Sequence, residues 1–96
     1  MLIIRPEAET DLAEQFDWYE QRKQGLGYEF LAEIRSSFRQ IEETPLRNAQ
    51  VYKSARRALV RRFPFKVFYL VEGEKVEVIA VIHARRDPQR WRERAL

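Results

Sequence analysis

The chain has 96 residues, enough for one domain (1–96) with a modest core. Hydrophobic residues make up 45% and aromatics 12%, which excludes a disordered chain. Cysteine is absent, which excludes disulfides and thiolate chemistry, and a net charge of +3 favours an anionic partner such as nucleic acid or an acidic protein.

No apolar run approaches the roughly 20 residues of a membrane span. The apolar patch Met1–Ile4 is short and soon followed by acids, unlike a signal peptide. A cytoplasmic protein with no membrane partner is expected.

Leu2 to Arg5 predicts a first strand, stopped by Pro6. Pro6 suits a helix's first turn, and Glu7 and Glu9 suit the positive end of its dipole. Ala8, Leu12, Phe16 and Tyr19 then recur at helical spacing, predicting a helix from about Glu7 to Lys23 with Asp11 mostly off the apolar face. Gly25-Leu26-Gly27 predicts a tight turn. A second helix carries Tyr28, Leu31, Ile34, Phe38 and Ile41 and ends at Thr44-Pro45. So short a connection predicts an antiparallel hairpin.

Leu46 to Arg57 reads as a polar connector with a short strand at Gln50 to Tyr52. Strands are predicted at Ala58 to Phe63, Phe65 to Glu72 and Val76 to Ala84, with Pro64 and Gly73-Glu74 at the turns. Simple alternation places Val76, Val78, Ala80 and Ile82 on one face of the last strand, and Glu77, Ile79, Val81 and His83 on the other. In the strand before it, Val67, Tyr69 and Val71 oppose Phe68 and Leu70. Both sheet faces are therefore apolar. One takes the helical hairpin, and the other is expected to await a partner, the alternative being the tail after Pro88. Gln89 to Leu96 reads as a short helical tail with Trp91 inward and Arg90, Arg92 and Arg94 outward. The expected fold is α+β, in the order β-α-α-β-β-β: an N-terminal strand and helical hairpin packed on a small antiparallel sheet.

The chain has no metal-spaced Cys/His cluster, no phosphate-cradling glycine loop and no Ser/His/Asp arrangement. No metal or cofactor is expected. The chemistry that remains is basic: Arg61, Arg62, His83, Arg85 and Arg86 at strand ends. If those strands are neighbours, guanidinium groups and one imidazole converge, as metal-free phosphodiester cleavage requires. Such cleavage also needs a second proton carrier, for which Tyr52 or Tyr69 is a candidate. The plainer readings are a locally bonded His83, and arginines paired with acids such as Asp87, Glu72 and Glu77.

A set of residues in order now points to a family. It comprises Ala8 with Asp11-Leu12 and Trp18-Tyr19, then Gly25-Leu26-Gly27 with Phe30-Leu31 and Thr44-Pro45. It continues with Arg62-Phe63-Pro64-Phe65, Val67 with Tyr69, His83, Arg86-Asp87-Pro88 and Trp91. In these positions the chain resembles the ParE/RelE superfamily of type II toxin–antitoxin toxins, often called plasmid stabilisation proteins. The resemblance implies a bacterial toxin with a cognate antitoxin, ParD-like or other, encoded nearby, and a toxin–antitoxin hetero-oligomer.

ParE-like members poison DNA gyrase. RelE-like members cut mRNA on the ribosome without metal. No tyrosine follows His83, and the lysines are scattered rather than clustered. The ParE-like branch is therefore expected, without a catalytic site, and with Arg61, Arg62, His83, Arg85, Arg86 and Trp91 as the target-binding surface. The alternative is a ribosome-dependent mRNA endoribonuclease, with His83 as acid or base and Arg62 and Arg85 as phosphate clamps. A non-toxic member with a binding or regulatory role is the third reading. The resemblance also implies an antitoxin segment that folds onto the toxin. Leu12, Trp18, Tyr19, Phe65 and Phe68 are the expected contacts, on the open apolar face.

Overall fold

The computed structural model describes residues 1–95. The chain runs β1 (Leu2–Ile4), α1 (Pro6–Arg22), α2 (Leu26–Glu43), β2 (Gln50–Tyr52), β3 (Ala55–Leu59), β4 (Phe65–Glu72), β5 (Lys75–His83) and α3 (Gln89–Arg92). A 3-10 turn, Glu93–Ala95, completes the tail, and Leu96, the end of the expected helical tail, lies outside the described residues. This is the expected α+β order.

The strands form one sheet in the order β1-β5-β4-β3-β2. The chain from β2 to β5 is an antiparallel meander. β1 joins it parallel to β5, with Leu2 opposite Val76 and Ile4 opposite Val78. The sheet is thus mixed, and its first strand is an edge.

The helical hairpin turns on two glycines with different tasks. Gly25 has φ +89°, a left-handed conformation that a side chain disfavours. Gly27 lies inside α2 and matters for its size. A Cβ there would sit 2.7 Å from the Phe16 ring and 2.8 Å from the Phe16 carbonyl oxygen. Gly27→Ala is therefore expected to cost about 1–3 kcal/mol through forced displacement of α1, read as a lower denaturation midpoint.

One sheet face receives the hairpin. Ala8, Tyr19, Phe30, Ile34 and Ile41 pack with Val67, Tyr69, Val76 and Val78. Tyr19 and Phe30 meet Phe63 and Phe65 edge-on, with centroids 5.1 Å apart for Tyr19–Phe63 and for Phe30–Phe65. Burial pushes the Tyr19 phenol above its ordinary range.

The other face corrects the expectation of an open apolar surface, because the tail covers it. Trp91 lies flat on Phe68, with ring centroids 3.9 Å apart and planes 12° from parallel. Ala55, Ile79, Ala80, Ile82 and Ala95 complete this second cluster. The physical reason is local: α3 follows β5 closely, so its aromatic docks without the loss of entropy that a separate partner would incur.

The alternation assumed for β5 is also corrected. Phe68 pairs with Ala80 but Tyr69 pairs with Val78, so Ile79 is an extra residue, a β-bulge. Val76 and Val78 face the hairpin, Ala80 and Ile82 face the tail, and Val81 returns to the hairpin side. The bulge lets a strand with apolar residues at nearly every position serve two cores.

The strand expected at Ala58 to Phe63 is shifted. β3 ends at Leu59, and Val60 to Pro64 form the turn into β4. Pro64 offers no N–H to a ladder. The turn is closed by the Val60 N–H, which donates to the Phe65 carbonyl at 3.0 Å, and Arg62 adopts φ +71° within it.

Candidate functional site

The strand ends do meet. Phe65 opens β4 directly opposite His83, and the Ala84 N–H donates to the Pro64 carbonyl at 2.7 Å. The two arginine pairs therefore flank one end of the sheet, as the spacing suggested.

The side chains diverge from there. Arg62 reaches toward α2, where its guanidinium donates to Glu29 Oε1 at 2.9 Å. Arg61, Arg85 and Arg86 are exposed. The His83 ring stands edge-on to Phe65, centroids 5.3 Å apart. Its Nδ1 accepts the Arg85 backbone N–H at 3.1 Å, and its carbonyl accepts the Arg86 N–H at 2.9 Å. Asp87, a candidate partner for the arginines, instead accepts the Gln89 N–H at 2.9 Å and starts α3.

His83 borders two concavities. One, of about 30 Å3, also touches Asp11, Glu14, Phe65, Arg86 and Arg90. That is room for a water molecule, not for a phosphodiester. The other is a groove of about 210 Å3 on the tail side, bordered by Arg57, Lys66, Arg86 and Arg92. Arg62 lines neither. The set Arg62, His83 and Arg85 is thus brought to one end of the sheet but not into one cleft. Tyr52 packs on Trp91, and the Tyr69 hydroxyl donates to the Pro45 carbonyl at 2.8 Å. Neither tyrosine borders a His83 concavity. No group of three or more metal-ligating side chains occurs among the described residues.

The residues expected on an open apolar face divide. Phe65, Phe68 and Tyr19 are buried, at 3%, 2% and 9% exposure, and Trp91, expected on the target-binding surface, is buried too, at 7%. Leu12 and Trp18 remain accessible on the hairpin. Leu12 joins Phe16, Tyr28 and Leu31 in an apolar groove of about 320 Å3 between the outer sides of the helices. Trp18 carries the Arg22 guanidinium 3.5 Å over its ring.

One cluster escaped the sequence reading. Arg94, expected outward, turns in and bonds Asp11 Oδ2 at 2.7 Å and the Ile79 carbonyl at 3.1 Å. Asp11 Oδ2 also accepts the Val81 N–H at 3.0 Å. Arg5 donates to the Arg94 carbonyl at 2.7 Å and to Glu77 at 2.9 Å. The cause is the shortness of β1, whose pairing with β5 covers only Val76 to Val78. Beyond it the edge of β5 away from β4 lacks a strand partner, and Asp11 with Arg94 supplies the missing acceptor and donor there. The sequence carries no distinct signal for it, because Asp11 sits among Glu9, Thr10, Glu14 and Gln15 and reads as one more polar position on the outer side of the helix.

No helix among the described residues is long and apolar enough to cross a membrane. A comparison with curated proteins found no match. Among solved structures the chain is similar to one titled "Chromosomal ParDE TA system from P. aeruginosa", with a TM-score of 0.77 over 85% of this chain and 92% of that one. At 16% identity this likeness concerns the fold. A family model described as "ParE toxin of type II toxin-antitoxin system, parDE" matches residues 2–88, from β1 through the turn that follows His83. With strand, helical hairpin and meander all inside that match, the chain belongs to the ParE toxin family of type II toxin–antitoxin systems.

Proposed function

We propose that this toxin acts in the cytoplasm by binding and inhibiting DNA gyrase, and that a cognate antitoxin neutralises it. One observation carries the choice of a binding role over a catalytic one: the strand-end cations are spread over a surface. Arg62 is turned to Glu29, Arg61 and Arg85 are exposed and border neither concavity beside His83, and of the strand-end arginines only Arg86 borders them. Recognition of a protein reads such a surface, whereas cleavage needs the groups focused on one reacting atom. The apolar groove at Leu12, Phe16, Tyr28 and Leu31 supports an antitoxin helix or strand laid across the hairpin.

A supercoiling assay tests both parts. The purified chain is expected to inhibit gyrase, and the antitoxin to restore activity. Arg85→Glu with Arg86→Glu is expected to raise the inhibitory concentration about tenfold or more, in the range set by reversing interfacial charges. Leu12→Glu is expected to keep inhibition and lose the rescue. Unimpaired gyrase at saturating toxin would sink the reading.

One observation favours mRNA cleavage instead: Glu14 borders the small cavity beside His83 and is a second proton carrier. That reading requires the cavity to open on the ribosome. It predicts that His83→Ala and Glu14→Gln each abolish mRNA cutting in a translation extract, with gyrase untouched.

A further inference from the structure

The groove of about 210 Å3 carries charge of one sign. Arg57 and Lys66 line it from the sheet, Arg86 and Arg92 from the turn and tail, His83 also borders it, and no carboxylate among the described residues lines it. The ion pairs among the described residues use Met1, Arg5, Arg62 and Arg94 and leave these cations aside. Like charges gathered in a concavity repel one another, and a bound anion relieves that repulsion.

The walls are built, not incidental. Arg57 is opposite Phe68 and Lys66 is opposite Leu59, so the two cations are diagonal neighbours on the face that carries Phe68. Across from them Arg92 is braced over the Tyr52 ring at 5.0 Å. The floor beneath is sealed, with Phe68, Ile82 and Trp91 at 2%, 5% and 7% exposure. The groove therefore offers charge and guanidinium forks with little apolar anchorage. A peptide that folds on binding needs apolar burial to offset its ordering. A phosphate backbone needs only cations and donors.

We propose that this groove binds the sugar-phosphate backbone of a single nucleic acid strand, held between Arg57 and Lys66 on the sheet and Arg86 and Arg92 on the tail. The inference does not depend on gyrase as target, because the binding requires no enzyme.

The test is fluorescence anisotropy of the full chain with a labelled single-stranded DNA of about 20 nucleotides. Binding is expected at low salt, with a log–log salt slope near −3, about −0.7 for each of four phosphate contacts. The triple variant Arg57→Gln, Lys66→Gln, Arg92→Gln is expected to lose about tenfold or more in affinity and to flatten the slope by about 2. A control triple variant, Lys23→Gln, Arg35→Gln, Arg39→Gln, removes equal charge from exposed positions on the hairpin and its turn. It is expected to change affinity by less than about threefold. Thermal melts establish that both variants fold. The proposal is overturned if the wild-type chain does not bind at low salt, or if the two triple variants lose affinity equally. Displacement of the DNA by polyglutamate at equal charge concentration also overturns it, since the groove would then read any polyanion.

Discussion

Trp91→Ala is expected to lower the unfolding free energy by about 3–5 kcal/mol, the range for removing a buried aromatic. The side chain is 7% exposed and stacks on Phe68 at 3.9 Å. Burying roughly 150–250 Å2 of such a ring at about 25 cal/mol per Å2 contributes about 4–6 kcal/mol, and a compact unfolded state lowers that by up to about 40%. Two effects compete. In one route the tail escapes the cost by undocking and leaving the rest folded. Undocking, however, uncovers Phe68, Ala80 and Ile82, all nearly fully buried, so this route is also expensive. For a domain whose whole stability is about 5–15 kcal/mol, the melting midpoint should fall by more than about 10 °C. Trp91→Phe keeps a stacked ring and is expected to cost much less. A loss under about 1 kcal/mol for the alanine variant would mean that the tail does not cover the sheet in solution.

Asp11→Ala carries the second large effect, about 2–4 kcal/mol. The carboxylate side chain is 7% exposed and its Arg94 partner 16%. Removing it strands a largely buried guanidinium and leaves the Val81 N–H without its acceptor. The ion pair itself is not the main source of stability, because desolvation offsets much of its Coulomb gain. The sensitive quantity is the backbone of β5 beyond β1, which the pair satisfies from both sides. Arg94→Met is expected to be similarly harmful. The double variant Asp11→Ala, Arg94→Met should be less harmful than the sum by about 1–3 kcal/mol, measured by a denaturation cycle. Strict additivity would show that the two side chains do not act as one clasp.

The tail and its clasp bear on the functional reading. Arg86 and Arg92 are presented by the turn and helix that Trp91 and Arg94 hold down. A variant that frees the tail should therefore weaken both the surface proposed to bind gyrase and the proposed phosphate groove. Variants at Arg57 and Lys66 touch only the groove, so the two roles are separable by experiment.

The candidate site was half legible. Pairing of Phe65 with His83 puts the two arginine pairs at one sheet end, and the alternation of apolar strands ending in Arg and His indicated as much. The direction of each side chain was not legible. The extra residue Ile79 shifts everything after it by one position, which sets His83 on the hairpin side against Phe65. The positive φ of Arg62 turns that residue toward Glu29. Neither a bulge between two apolar residues nor a left-handed arginine leaves a clear compositional mark.

Local chemistry in the sequence determined the elements and the family. Pro6, Gly25, Thr44-Pro45 and Gly73 punctuate the chain, apolar residues recur with the helix or strand period between them, and the ordered set from Ala8 to Trp91 marks a ParE toxin. These signals act over a few residues, so they survive without knowledge of what packs where. Tertiary structure alone decided that Trp91 fills the second sheet face, that Asp11 and Arg94 close the β5 edge 83 positions apart, and that Arg57, Lys66, Arg86 and Arg92 share a groove. Each of these depends on which backbone groups and which apolar faces are left unpaired after the sheet has formed, and that remainder is defined only by the assembled whole.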